Sequence, residues 1–196
     1  MRRQFAVTAI LLLTVGSFAG AANWQIDPAH SAALFKVRHM MISSVTGEFG
    51  KIAGAVNYDP ADPAKSTVEV TIDTTSLNTR VADRDNHLKS PDFFDVAKFP
   101  TMTFKSKRVE KAGDVKLKVT GDLTLRGVTK EVALEVDGPQ PEVKDPWGNV
   151  RTGASATTRI NRQDFGVSWN KTMDGGGLVV GDEVTVTIDL EMIKQK

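Results

Sequence analysis

The sequence contains no cysteine, which excludes disulfides, thiolate nucleophiles and cysteine-ligated metal centres. Histidine is scarce as well. His30, His39 and His87 are the only three, and no His-Glu-x-x-His or i, i+4 pair among them points to zinc. There is no Gly-x-Ser-x-Gly segment, so the local signature of a nucleophile elbow is missing. An excess of one charge is lacking too, with 25 Lys and Arg against 24 Asp and Glu. Nucleic acid and anionic membrane surfaces demand clustered positive charge, so neither is expected as the main partner.

What is present begins with a leader. Arg2 and Arg3 form a basic start, Phe5 to Phe18 an apolar run, and Ala19-Gly20-Ala21 a small-residue cleavage site. The run is interrupted by Thr8, Thr14 and Ser17 and falls short of the roughly 20 residues that cross a bilayer, so a cleaved signal peptide over residues 1–21 is expected. Its removal takes two arginines and no acid, leaving 23 basic against 24 acidic residues over 22–196. That remainder suits one domain whose packed core holds it together without disulfides.

Alternation with a period of two recurs along this domain. Val68 to Asp73 places apolar and polar residues on opposite faces, as a half-buried strand requires. The same rhythm marks Leu117 to Val119, Leu123 to Leu125, Val132 to Val136 and Val184 to Met192. Turn signals lie between them at Asp59-Pro60, Ala112-Gly113-Asp114, Arg126-Gly127, Asp137-Gly138-Pro139 and Gly181-Asp182. The stretch from Gly138 to Gly148, with three prolines, reads as a long surface loop. One segment breaks the pattern: Val81 to Lys89 reads as a short helix, capped by Asn78 or Thr79 and ended at Ser90-Pro91.

Many short strands joined by tight turns define an all-β sandwich or barrel. Thr152 to Thr158 hints at the barrel, because its small side chains would leave internal space. An antiparallel barrel of about eight strands encloses room for one small ligand or a plug of side chains.

Polar candidates cluster at two places. Ala33, Phe35, Val37 and His39 share an inward parity, which sets His39 at the end of an apolar stripe, near a cavity mouth. Arg80, Arg84 and His87 follow i, i+4, i+7 spacing and would offer one cationic helix face to a phosphate or carboxylate. Asp83, four residues before His87, offers it an ion-pair partner instead. Asp92 and Asp95 flank Phe93-Phe94 in what reads as a loop whose aromatics cover the core, and Gly175 to Gly177 reads as a hairpin loop.

These segments together resemble one family, the YceI-like, polyisoprenoid-binding periplasmic proteins. The resemblance is carried by Trp24 to Asp27, Ala33 to His39, Ser44 to Phe49, Arg84 to Asp95, Lys98 to Phe104, Gly121 to Lys130 and Asn161 to Gly166, in the family's order. It implies an eight-stranded antiparallel lipocalin-like barrel with one short helix, a periplasmic location, a long isoprenoid held inside, homodimers, and neither cofactor nor catalysis. Along such a cavity we expect Phe35, Val37, Phe49, Val70, Ile72, Leu123, Phe165 and Trp169. The head-group contacts expected are His39, Arg84 and His87, with Asn161 and Asp164 as weaker ones. A quinone or polyprenyl phosphate is the first ligand class, received from inner-membrane proteins in transient contact. The alternatives are a binder of fatty acids or amides in envelope stress, and an enzyme acting on the bound lipid.

Overall fold

The computed structural model describes residues 21–196; the expected leader, apart from its last residue, lies outside them. In chain order the strands are β1 (Ala22–Ile26), β2 (Ala32–His39), β3 (Ser43–Phe49), β4 (Ile52–Tyr58), β5 (Thr67–Asp73) and the two-residue β6 (Leu77–Asn78). The helix α1 (Ala82–Lys89) follows, then β7 (Thr101–Lys111), β8 (Lys116–Leu125), β9 (Val128–Asp137), β10 (Val143–Lys144), β11 (Val150–Asn161) and β12 (Val180–Lys194).

All pairings are antiparallel, and the ring runs β1, β4, β5, β7, β8, β9, β11, β12 and back to β1, a closed barrel of eight strands. Closure removes the exposed edges that an open sheet would present. The long strand β12 makes this possible: one of its edges pairs with β11, and the other pairs first with β2 and then with β1. A bend at residues 27–31 thus splits one barrel position into β1 and β2, and β3 and β4 are split in the same way around Gly50 and Lys51.

Expected strands appear in every place where the alternation is regular. Leu117 to Val119 and Leu123 to Leu125 belong to one strand, β8, because Gly121 between them allows close backbone approach and does not end the strand. A Cβ there would stand 2.4 Å from the Lys105 carbonyl oxygen, opposite the bulge between Ser106 and Arg108. Gly181-Asp182, read from sequence as a turn, lies inside β12 at a second bulge, where Arg162 grips the backbone. The expected Gly138 to Gly148 loop is real but carries β10, which pairs with the start of β11.

The helix starts at Ala82, and neither Asn78 nor Thr79 caps it; Val81 holds that position without a side-chain bond. Instead Asp85 reaches back, accepting from the Thr79 amide at 2.8 Å and from its hydroxyl. Arg80 lies before the helix with φ 67°, exposed, so the expected face of Arg80, Arg84 and His87 keeps only its last two members. Local side-chain bonds around Thr79 win over regular capping here.

Inward residues of the ring, with Phe165 from the turn after β11, form one core in which Ile26, Ile52 and Phe165 are almost fully buried; each contributes about 1.5–3 kcal/mol. Outside it, one guanidinium ties distant segments together. Arg151 on β11 donates to Asp27 in the β1–β2 bend at 2.7 Å, to Asp145 in the preceding loop at 2.7 Å and to Glu191 on β12 at 2.5 Å. Hydrogen bonds from Arg151 and His30 pull the Asp27 carboxyl down to about 2. Burial would push Asp145 up, but bonds from Arg151 and Asn149 hold it well below the usual carboxylate range.

A folded-state pKa below the unfolded value adds stability that is present above about pH 4 and disappears as pH falls through about 2. Arg151→Met is therefore expected to lower the thermal midpoint by roughly 5–10 °C at neutral pH. The gap between the two proteins should narrow in melts recorded between pH 4 and pH 2. A constant gap across that range would remove the carboxylates from the explanation.

Candidate functional site: an apolar cavity with one polar end

Within the ring the inward side chains leave a cavity of about 390 Å³. It exceeds twice the roughly 150 Å³ of an engineered apolar cavity that admits benzene. The cause is visible along β11, whose inward Ala154, Ala156 and Thr158 are small where barrel neighbours supply Val136, Ile188 and Leu190. Facing them across the space are Val70, Ile72, Met102 and Phe104, from β5 and β7. A second relief lies on β3: a Cβ on Gly47 would stand 2.5 Å from the Phe35 ring, so glycine lets that ring lie flat over the strand.

One end of the cavity differs. There β2 and β11 finish, β12 begins, and α1, the loop after it and residues 166–179 pack over the opening. Arg126 in the β8–β9 turn binds this cover together, donating to the carbonyls of Gly166 and Pro91. A chain of aromatic contacts leads into it, from Phe35 to Phe49 at 5.8 Å and from Phe49 to Phe94 at 5.4 Å between ring centroids.

The arginines and histidines of the cavity wall gather at this end. Arg84, half-buried on α1, donates Nε to the Thr79 hydroxyl at 2.8 Å and Nη2 to the Thr79 carbonyl at 2.9 Å. Among the described residues no carboxylate pairs with it, so its remaining N–H donors face a mostly apolar wall. His87, one turn on, sits edge-on to Phe93 and Trp169, each at 5.0 Å. Its Nε2 is 2.9 Å from Asp92 Oδ2; Asp83, the partner expected from helix spacing, is not used. His39 closes β2 on the same wall.

The most buried of these groups is Arg162, only 4% exposed. Its guanidinium donates to the carbonyls of Val167 (2.6 Å), Trp169 (2.9 Å), Gly181 (2.9 Å) and Val180 (3.4 Å), and to Asp182 at 3.2 Å. Burial pushes it down from its ordinary value and Asp182 opposes this. Arg162 holds the segment that carries Trp169 and Val179 into the cover. Sequence reasoning missed it, because a buried arginine looks like any other until the carbonyls that surround it are known.

Of the expected residues, Phe35, Val37, Phe49, Val70, Ile72, Leu123 and Trp169 line the cavity, and so do His39, Arg84 and His87. Three do not. Asn161 turns outward and accepts from the Gln163 amide at 2.9 Å, starting a 3-10 turn; Asp164 is exposed on that turn. Phe165 is buried behind the wall, packed into the core but not facing the space. All three come from the 161–166 block of the resemblance, which forms the last residue of β11 and the 3-10 turn after it, where side chains no longer alternate between two faces.

Away from the cavity, ligand atoms of Asp27, His30 and Glu191 lie within 4.8 Å of one another. The Arg151 guanidinium already pairs with both of these carboxylates and offsets part of their charge.

A closed eight-stranded up-and-down barrel with a long apolar interior and a helix across one end defines the lipocalin-like class. Comparison places the chain within it: residues 24–192 match the YceI-like domain, and the protein belongs to the YceI-like family. The protein called YceI of Salmonella newport is 42% identical over 190 residues, covering 96% of this chain and 95% of that one. The crystal structure of Burkholderia cenocepacia BcnA superposes with a TM-score of 0.72 at 26% identity, over 85% of this chain and 98% of that one. A domain from Saccharophagus degradans, described as polyisoprenoid binding, shares the fold with a TM-score of 0.61 at 16% identity, over 89% of this chain and 99% of that one.

Proposed function

We propose that the protein is exported, loses the leader of residues 1–21, and works in the periplasm as a binding protein for a long isoprenoid lipid. The observation that carries this reading is a large, mostly apolar cavity whose arginines and histidines converge at one end. Burying about ten CH₂-sized groups contributes about 8 kcal/mol before the cost of immobilisation. Micromolar affinity then needs no specific polar contact. The binding description of the Saccharophagus degradans domain supports the isoprenoid class.

Arg84 narrows the head group. A guanidinium with free donors and no carboxylate paired to it directly suits an anionic phosphate better than an uncharged quinone or amide. A charge-assisted contact contributes about 1.5–3 kcal/mol. In the Arg84→Ala, His39→Ala double variant, a polyprenyl phosphate should bind about 30-fold more weakly in fluorescence titration, whereas the matching polyprenol should bind unchanged. An equal loss for both ligands would overturn the head-group assignment.

The reading as a whole is tested by denaturing organic extraction of protein purified from its native periplasm, followed by mass spectrometry. A stoichiometric isoprenoid is the expected result. A native-source sample that releases no lipid and takes up no added isoprenoid would overturn lipid binding.

A further inference from the structure

The hairpin between β2 and β3 turns through His39-Met40-Met41-Ile42, with the Ile42 amide donating to the His39 carbonyl at 3.2 Å. Both central residues are left-handed, Met40 at φ 50° and Met41 at φ 61°, which makes this a type I′ turn. Such turns favour Asn-Gly, because left-handed backbone strains any residue with a larger side chain. Methionine at both positions works against the local backbone preference. Nor does packing explain it: Met41 is 58% exposed and Ile42 80%.

The apolar tip continues onto a neighbouring loop. The Met40 amide donates to the Val179 carbonyl at 2.7 Å, and Leu178 beside it is also exposed. Both segments are continuous with the cavity: Arg38 and His39 just before the tip, and Val179 just after Leu178, line its polar end. Below the tip, Arg38 donates to the Met41 carbonyl at 2.6 Å, and Lys171 is exposed at the base of the loop that also carries Asp174. Apolar side chains at the point and cations one step behind are the order in which a bilayer presents acyl chains and head groups.

We propose that the β2–β3 tip, with Leu178, is a membrane-docking element that dips into a lipid bilayer and sets the polar end of the cavity against it. The proposal rests on the lipid-binding reading and adds the surface from which lipid enters. A protein partner fits less well: a stable interface takes about 800 Å² from each side, and three side chains of one turn fall far short of that. The balanced net charge makes the docking apolar in character and only weakly dependent on salt. Flexible methionines suit a fluid, variable surface.

The test is flotation with vesicles of phosphatidylethanolamine and phosphatidylglycerol, comparing the protein with a Met40→Asn, Met41→Gly, Ile42→Ser variant. Asn-Gly relieves the turn, so the variant should melt at the same or a higher temperature while its vesicle partitioning falls at least about tenfold. Trp147→Ser, at the most exposed aromatic among the described residues and on the opposite end of the barrel, should partition like the parent. Detergent-dispersed polyprenyl phosphate should bind both variants as tightly as it binds the parent, which separates docking from ligand binding. Equal partitioning of hairpin variant and parent, or a loss confined to Trp147→Ser, would overturn the proposal. Concentration-dependent dimers that the hairpin substitutions abolish would overturn it in favour of a second copy as the occupant.

Discussion

Ala156→Phe should abolish lipid binding and leave the barrel folded. Ala156 lies on the inner face of β11 between Val136 and Ile188, where its methyl group leaves the central part of the cavity open. A benzyl group there takes the room of about five chain carbons, and at ~0.8 kcal/mol each their loss is about 4 kcal/mol, or roughly a thousandfold in Kd. The ring enters existing space instead of displacing packed neighbours, so the usual cost of overpacking does not apply. Titration with a polyprenyl phosphate measures the loss, and a thermal melt with an unchanged or raised midpoint shows that the fold is intact. Binding within about tenfold of the parent would mean that the ligand does not run past β11, and the cavity would lose its role.

Arg162→Met should be the most damaging single change for stability. The substitution keeps length and apolar volume but leaves the carbonyls of Val167, Trp169 and Gly181 without their Arg162 donor, and Asp182 without its cation; Val180 keeps the Asn170 amide. A buried acceptor left unsatisfied costs about 1–3 kcal/mol; with partial relaxation the sum is about 4 kcal/mol, a fall of roughly 8–16 °C in Tm for a domain of this size. The cover should loosen as well, so proteolysis within residues 170–178 should accelerate. Arg162→Lys keeps the charge but loses the planar fork and should recover less than half of the midpoint. A melt within about 3 °C of the parent would show that these carbonyls find other partners.

The two substitutions also mark how far a linear reading reaches. Ala156 was partly legible: a strand whose residues are small on either face signals space, but only the structure says which of them point inward. Arg162 was not, since its partners come from four positions spread along Val167 to Gly181, brought round it by the turn after β11 and the bulge in β12. His87 falls between these cases. Its place on the helix was readable, but its partner is Asp92 and its neighbours are Phe93 and Trp169, all set by how the following loops fold back.

Period-two alternation and turn chemistry by themselves determined the all-β character, the position of most strands and the inward parity of Phe35, Val37 and His39, because side-chain direction in a strand is a local property of the backbone. The quoted blocks carried the family. Only the tertiary structure decided that the sheet closes and that β12 bridges β11 to both β1 and β2. It alone tied Arg84 to Thr79 and, among the described residues, to no carboxylate at the cavity's polar end, turned Asn161 and Asp164 away, and set Met40 and Met41 on a strained turn beside the opening. Closure and pairing depend on contacts between residues far apart in the chain, and no periodicity within one segment encodes which distant segment it will meet.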